Sequence, residues 1–326
     1  MNIFSTLNVL REMTPDDFGF DYAQRVPIVS IVFMILGMIL AIAVPVFAFI
    51  WLKRRYKLEP TVALYSLVAY MLGGYLLPNV LGIGLQWIDL QTGIFSANEI
   101  VYYLLISLLS AGLMILSIWL GMKMLCTRGP VTFGSSLLFG VCLLIVPLCT
   151  QTITTLGNYF AVSQTVNNGG LYDVINTMIT ESGSTEEEVA GLLDAIQFLV
   201  DGETIYYLMV ALDVLLLMPI HISACVIYGG IAGKQLPKTY GKFVFIIEGL
   251  YAAAMFVRYI GVINSVYLSE LLYLTVAVIS VMTTYRIAKQ TMPDQLAKLF
   301  GKPDPVLTGK AEENPHKMPK IVMPKD

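Results

Sequence analysis

Seven long apolar runs divide this sequence, and they constrain its fold more than any other feature. About 20 apolar residues are enough to cross the hydrocarbon core of a bilayer as a helix. A helix satisfies every backbone polar group within the segment, as the bilayer interior requires. The runs are Ile28–Leu52, Val62–Leu85, Val101–Met122, Ser136–Leu156, Tyr206–Ala232, Phe243–Ile263 and Leu271–Ile287. The sequence therefore predicts an all-α, polytopic membrane bundle of about seven transmembrane helices.

The composition agrees with this class and excludes others. Hydrophobic residues make up 56% of the 326 residues and charged residues only 13%, whereas about a quarter of a typical soluble domain is charged. The net charge of −3, without a basic patch interleaved with aromatics, predicts no nucleic-acid partner. The predicted partner is the lipid bilayer itself. The four cysteines all fall in or beside apolar runs, which favours packing roles over disulfides: Cys126, Cys142, Cys149 and Cys225.

The basic residues predict how the chain is oriented. Seventeen of the 20 lysines and arginines follow odd-numbered runs, and the loops after the second and fourth runs contain none. Cytoplasmic loops carry the excess of Lys and Arg. We therefore expect the N-terminus outside, the C-terminus in the cytoplasm, and a multi-pass protein of the plasma membrane.

The segments around the runs predict three regions. Residues 1–27 form an outer N-terminal segment, and residues 28–290 form the seven-span membrane domain. Within that domain, residues 157–205 form an outer loop whose charged residues are all acidic, and "STEEEVAGLLDAIQFLV" predicts an amphipathic helix there. We expect Ser184 to cap that helix, with Glu187 at the capping-box position. Residues 291–326, rich in Pro and Lys, predict a disordered cytoplasmic tail.

Four ionisable residues lie within the predicted spans and more than two residues from either end, where a charge is costly. Asp213 and His221 are on the fifth span, and Glu248 and Arg258 are on the sixth. Such residues normally face the protein interior or a wet cavity. Their depths predict that His221 approaches Glu248 and that Asp213 approaches Arg258. These contacts would act as two interhelical pairs, or as an intramembrane site that binds a metal or carries protons.

A hydrolytic zinc site needs three protein ligands and an activated water. His221, Asp213 and Glu248 are the one set here that approximates it, so zinc is the cofactor to test. The sequence contains no HExxH, GxSxG, P-loop or GxGxxG motif.

Three stretches of the chain resemble the YhfC-like intramembrane metalloproteases, a bacterial family related in architecture to the CAAX-type membrane peptidases. They are "ILAIAVPVFAFIWLKRRYKLEPTVALYSLVAYMLGGYLL", "SLLSAGLMILSIWLGMKML" and "ALDVLLLMPIHISACVIYGGIAGK". In the third stretch an acidic residue precedes a His-Ile-Ser segment by eight positions, as in the family. The resemblance covers residues 28–290 and implies that Asp213 and His221 occupy the positions of a family acid and histidine.

The chain departs from the family pattern at most of the expected catalytic positions. Ile115 and Leu116 stand where the family has a Glu-Glu pair, and Trp119 stands near its arginine. Leu143 stands near the position of a family histidine. The family's His-x-x-x-Asp motif would fall near Glu248 and Ala252, so neither its histidine nor its aspartate is present here. The catalytic carboxylates are thus absent, while His221, Asp213 and Glu248 remain as candidate ligands.

Two functions from different classes follow. The first is a catalytically degenerate relative, a pseudoenzyme, whose former active-site cavity binds a transmembrane peptide, a lipid or a membrane protein partner. The second is a transporter or accessory membrane subunit in which Asp213, His221, Glu248 and Arg258 line a solute or proton path. No inverted repeat, which many transporters show, is visible in the spans.

Overall fold

The computed structural model describes residues 13–263 and 265–300, and within these ranges every regular element is a helix. Seven of the helical segments are long and apolar enough to cross a membrane. They confirm the predicted multi-pass helical class. The spans, numbered one to seven below, are Ile28–Tyr56, Thr61–Thr92, Glu99–Cys126, Phe133–Asn167, Tyr206–Ala232, Lys238–Tyr259 and Val266–Thr291.

Spans two and four are each built from several helical pieces. Span two passes from an α-helix (Thr61–Ala69) through a π-helix (Tyr70–Leu76) into a second α-helix (Leu77–Thr92). Span four consists of Phe133–Leu143, Ile145–Pro147, the π-helix Leu148–Ile153 and Thr154–Asn167. Pro78 and Pro147 each lie within two residues of a π-helix. Because a proline has no backbone N–H, it interrupts the regular α-helical hydrogen bonds.

Span four extends beyond its predicted end at Leu156. The helix Thr154–Asn167 occupies the beginning of the segment predicted as the outer loop 157–205. Its polar residues lower the local hydropathy, but Leu156 and Val166 are buried. Burial of these apolar side chains favours continued helix where hydropathy alone predicts a loop.

The described chain divides into two compact units, and the first comprises residues 13–44, 145–215 and 265–270. Its extramembrane helices are Leu171–Thr180 and Glu186–Asp201. The second is the predicted amphipathic helix, and it buries Val189, Leu193, Ile196 and Leu199 on one face. The predicted cap was wrong by one residue: Thr185, not Ser184, caps the helix, and Glu188, not Glu187, completes the capping box.

The described part of the N-terminal segment is tied to span four in the same unit. The backbone N–H of Val26 donates to Asn167 Oδ1 at 2.7 Å, and Asn167 Nδ2 donates back to the Val26 carbonyl at 3.1 Å. Nearby, the Tyr22 hydroxyl donates to the Pro15 carbonyl at 2.9 Å. Burial, followed by the charge of Asp16, raises the pKa of Tyr22 above its usual value of 10.0.

The second unit comprises the described residues of 45–144, 216–264 and 271–300, and its helices pack closely through glycines. A side chain on Gly121 would collide with the Phe139 ring, and one on Gly229 would collide with Ser136. The buried Ser66 hydroxyl donates to the Phe139 carbonyl at 2.7 Å. Small residues let the backbones of two helices approach closely. Such packing matters in a membrane because apolar surface alone does not drive helix association in lipid.

The beginning of the predicted disordered tail is ordered, which corrects the sequence prediction. Residues Pro293–Leu299 form a helix with Leu296 buried. The backbone N–H of Phe133 donates to Gln295 Oε1 at 2.8 Å, and the Tyr56 hydroxyl donates to the Gln295 carbonyl at 3.0 Å. The prediction used the Pro- and Lys-rich composition of the whole segment, which does not reveal the contacts that Leu296 and Gln295 make. Residues 301–326 lie outside the described residues.

Candidate functional site

The structure pairs two of the four intramembrane ionisable residues in the interior of the second unit. His221 Nδ1 and Glu248 Oε1 lie 2.9 Å apart. The side chains are 1% and 0% exposed. The predicted approach of His221 to Glu248 across spans five and six is therefore confirmed.

Neighbouring residues fix the position of the imidazole. His221 lies two residues after Pro219, whose carbonyl accepts a hydrogen bond from the Ser223 hydroxyl at 2.6 Å. The ring of Tyr251, one turn beyond Glu248, contacts the imidazole edge to face, with centroids 5.0 Å apart. The Ser110 side chain of span three is hydrogen-bonded to Tyr251. The half-buried Ser110 thus links span three to the buried side chains of His221, Glu248 and Tyr251.

The pair leaves one polar atom unused. Glu248 Oε2 is buried and has no hydrogen-bond partner among the described residues. A buried acceptor without a partner costs free energy, and a buried ion pair recovers its desolvation cost only with good geometry. Glu248 thus retains a capacity to accept a further proton or donor that purely structural pairing would not require.

An aromatic and cationic path continues from the pair. Tyr251 lies 6.4 Å from Tyr273 on span seven, measured between ring centroids. The Arg258 guanidinium lies 5.7 Å from the centroid of the Tyr273 ring, within the distance of a cation–π interaction. Arg258 is therefore connected to the cluster through Tyr273.

Asp213 belongs to the first unit, whereas His221, Glu248 and Arg258 belong to the second. Asp213 and Arg258 both interact with other groups in the structure. The predicted Asp213–Arg258 pair stays a prediction.

The described residues do not supply the ligand set that a zinc site needs. No group of three or more His, Cys, Asp or Glu side chains is arranged to hold a metal ion in residues 13–263 and 265–300. The closest approach to a donor set is the His221–Glu248 pair, and its Nδ1 and Oε1 atoms already bind each other. Catalytic zinc requires three protein ligands besides water, and the structure brings together two of the three predicted ligands, His221 and Glu248. The predicted zinc site stays a prediction.

A second feature of the same three spans is an open, apolar groove with a volume of about 410 Å³. Trp119 is 39% exposed at its edge and Phe245 is 65% exposed. Volumes of this size are typical of sites for small apolar ligands. The groove is lined by Gly112, Ile115, Leu116, Trp119, Tyr228, Gly241, Val244 and Phe245.

The groove coincides with the positions that the resemblance assigns to catalytic residues. Gly112, Ile115, Leu116 and Trp119 recur at helical spacing along one face of span three. Ile115 and Leu116 stand where the Glu-Glu pair is expected, so the groove carries hydrocarbon where the resemblance predicts carboxylates.

Two exposed lysines lie close in sequence to lining residues of the groove, although neither lines it. Lys123 follows Trp119 by one turn, and its Nζ lies 4.9 Å from the centroid of the Trp119 ring. Lys242 lies between two lining residues, Gly241 and Val244, with its Nζ 5.4 Å from the Phe243 ring centroid. The groove itself is therefore apolar, and two lysines flank it.

Sequence reasoning identified the charged members of the buried cluster but missed its aromatic members and the groove. Tyr251 follows Glu248 at helical spacing, a signal that was present in the sequence. The groove depends on the separation of three helices, which no local pattern specifies.

Comparisons of the chain with models of known protein families, with curated proteins and with solved structures give no match. The resemblance to intramembrane metalloproteases therefore rests on the residues quoted above and stays a prediction. What the structure establishes is a multi-pass helical membrane protein with a buried His–Glu pair and an adjoining apolar groove built from the same spans.

Proposed function

We propose that this protein is a catalytically degenerate relative of the intramembrane metalloproteases that binds an apolar membrane ligand in its lateral groove. The observation that carries the proposal is the lining of the groove. Ile115 and Leu116 replace the expected acids at a site open to the surface. With no carboxylate among its lining residues, such a cavity has no general base for water activation, but it retains a shape that hydrocarbon fills.

Groove-filling variants test the binding function. A Cβ added at Gly112 would meet no atom within 4 Å, so Gly112→Phe can direct a ring into the groove. Gly249 on span six is likewise open but does not line the groove, so Gly249→Phe is the matched control. Native mass spectrometry of the purified proteins should show a co-purifying ligand in the wild type and in Gly249→Phe, and loss of that ligand in Gly112→Phe. Equal retention in all three proteins would contradict the proposal.

Metal content tests the degenerate character separately. Elemental analysis of protein purified without chelator should show no stoichiometric zinc in the wild type or in His221→Ala. One zinc per chain that disappears in His221→Ala, together with cleavage of a transmembrane peptide, would overturn the inactive assignment.

A second candidate, proton-linked transport, is favoured by the buried pair. An imidazole and a carboxylate in contact inside a membrane span are the groups that carry protons in pumps and transporters. Glu248 Oε2, without a hydrogen-bond partner among the described residues, is a site for the moving proton. Proton-linked uptake into vesicles that is abolished by Glu248→Gln or Asp213→Asn would support this candidate over the first.

A further inference from the structure

The groove and its flanking lysines together identify a ligand class. We propose that the groove binds an anionic phospholipid, with an acyl chain along the apolar lining and the phosphate between Lys123 and Lys242. This inference rests on the proposed groove-binding function and specifies its ligand.

The apolar part of the site fits hydrocarbon. The residues that line it expose mainly carbon, and the groove opens at Phe245 and Trp119 to the surface of the spans. A chain can therefore enter sideways from the bilayer without losing its apolar surroundings. Trp119 lies at the cationic end, which suits the preference of indole rings for the headgroup level.

The charged part fits an anion rather than a zwitterion. Both lysines are exposed, and neither forms an ion pair with a carboxylate among the described residues. The flanking sequences 117–135 and 233–247 contain no acidic residue. Basic pockets between transmembrane helices bind anionic headgroups through this kind of uncompensated charge.

The position of the lysines supports one ligand that spans both parts. Trp119 near the end of span three and Val244 near the start of span six line the same groove, so Lys123 and Lys242 lie at the same end of it. A headgroup at that end places its acyl chains toward Gly112. The depth, direction and charge of the site thus agree with a phospholipid.

Trp119 provides the reporter for a test in the full-length protein. The chain has three tryptophans, so a Trp51→Phe/Trp87→Phe background leaves Trp119 alone. This protein is reconstituted in mixtures of phosphatidylcholine and phosphatidylglycerol, with one or the other lipid brominated to quench fluorescence. Brominated phosphatidylglycerol should quench Trp119 more than its mole fraction alone would give. The affinity of the groove for phosphatidylglycerol relative to phosphatidylcholine should be roughly fivefold higher for each lysine.

Matched variants separate the contributions. Lys123→Gln/Lys242→Gln should reduce quenching by phosphatidylglycerol to its mole fraction. Lys53→Gln/Lys289→Gln removes the same charge at the ends of spans one and seven and should retain the preference. Equal quenching by both brominated lipids in the unmutated groove would overturn the anionic ligand class while leaving an apolar groove ligand intact.

The groove itself is tested in the same assay. Gly112→Phe should lower Trp119 quenching by either brominated lipid, whereas Gly249→Phe should not. If Gly112→Phe and Gly249→Phe are quenched alike, the groove is not occupied, and both this inference and the proposed function fail.

Discussion

The buried His221–Glu248 pair and the lateral groove are built from the same three helices but have opposite character. At His221 and Glu248, where spans five and six meet, the interior is polar and closed to solvent. Along the groove the same spans are apolar and open. The difference shows that the ionisable side chains face the interior, where His221 and Glu248 can pair, while apolar side chains line the open surface.

Placing charge in the groove should break this division most severely. Ile115→Glu/Leu116→Glu puts two carboxylates near the middle of span three, at roughly 2.5–3.5 kcal/mol per charge on insertion scales. We expect the fraction of protein that resists alkaline extraction from membranes to fall sharply. The neutral control Ile115→Met/Leu116→Met should insert normally. Normal insertion accompanied by zinc-dependent peptide cleavage would show instead that the groove is a repairable active site.

Removing one partner of the buried pair should have the next largest effect. Glu248→Ala leaves the imidazole of His221 buried without its acceptor, a change that costs about 3–5 kcal/mol in buried pairs. Unfolding in mixed detergent should report this loss. His221→Leu/Glu248→Leu should recover much of it, because neither partner is then left uncompensated. If the double variant is no more stable than Glu248→Ala, the pair is not the source of the cost.

Two glycines of span three sharpen the contrast between closed and open surfaces. Gly121→Leu should destabilise the fold by about 1–3 kcal/mol, because its side chain meets the Phe139 ring. Gly112→Leu enters open space and should leave thermal stability nearly unchanged. Similar losses in both variants, measured by thermal unfolding, would mean that the groove is closed in solution.

The smallest expected effect lies in the first unit, which has its own hydrophobic core. Thr185→Ala removes the side-chain cap of the helix Glu186–Asp201 and should cost about 1 kcal/mol. Ser184→Ala is the matched control and should be neutral, since Ser184 does not cap this helix. Urea unfolding followed by hydrogen exchange at Val189 distinguishes the two variants. A larger effect of Ser184→Ala would favour the cap expected from the sequence.

The membrane class of the fold could be predicted from sequence because it depends on short-range patterns. Apolar runs of sufficient length specify spans, and the cost of buried charge predicts that His221 finds a partner. The extension of span four to Asn167 was not predictable, because its stability comes from Leu156 and Val166 packing against residues distant in sequence.

The site could be predicted only in part, for the same reason. Glu248 and His221 are recognisable in the sequence as ionisable residues within apolar runs. Their depths along two neighbouring spans predict that they meet. The groove arises instead from the distance between helices, to which the glycines at positions 112 and 241 contribute by having no side chain. In a hydropathy profile these glycines do not differ from ordinary lipid-facing residues, so the profile does not predict the cavity.

The helix Pro293–Leu299 has a consequence for the order in which the protein is made. Gln295 and Lys298 accept hydrogen bonds from Arg55, Tyr56 and Phe133, which are synthesised more than 160 residues earlier. During translation these donors leave the ribosome long before their acceptors exist. The end of span one and the beginning of span four must therefore wait, hydrated or held by a chaperone, until the helix Pro293–Leu299 is made. A chain that stops before residue 295 would lack all three acceptors and would stay at that unfinished stage.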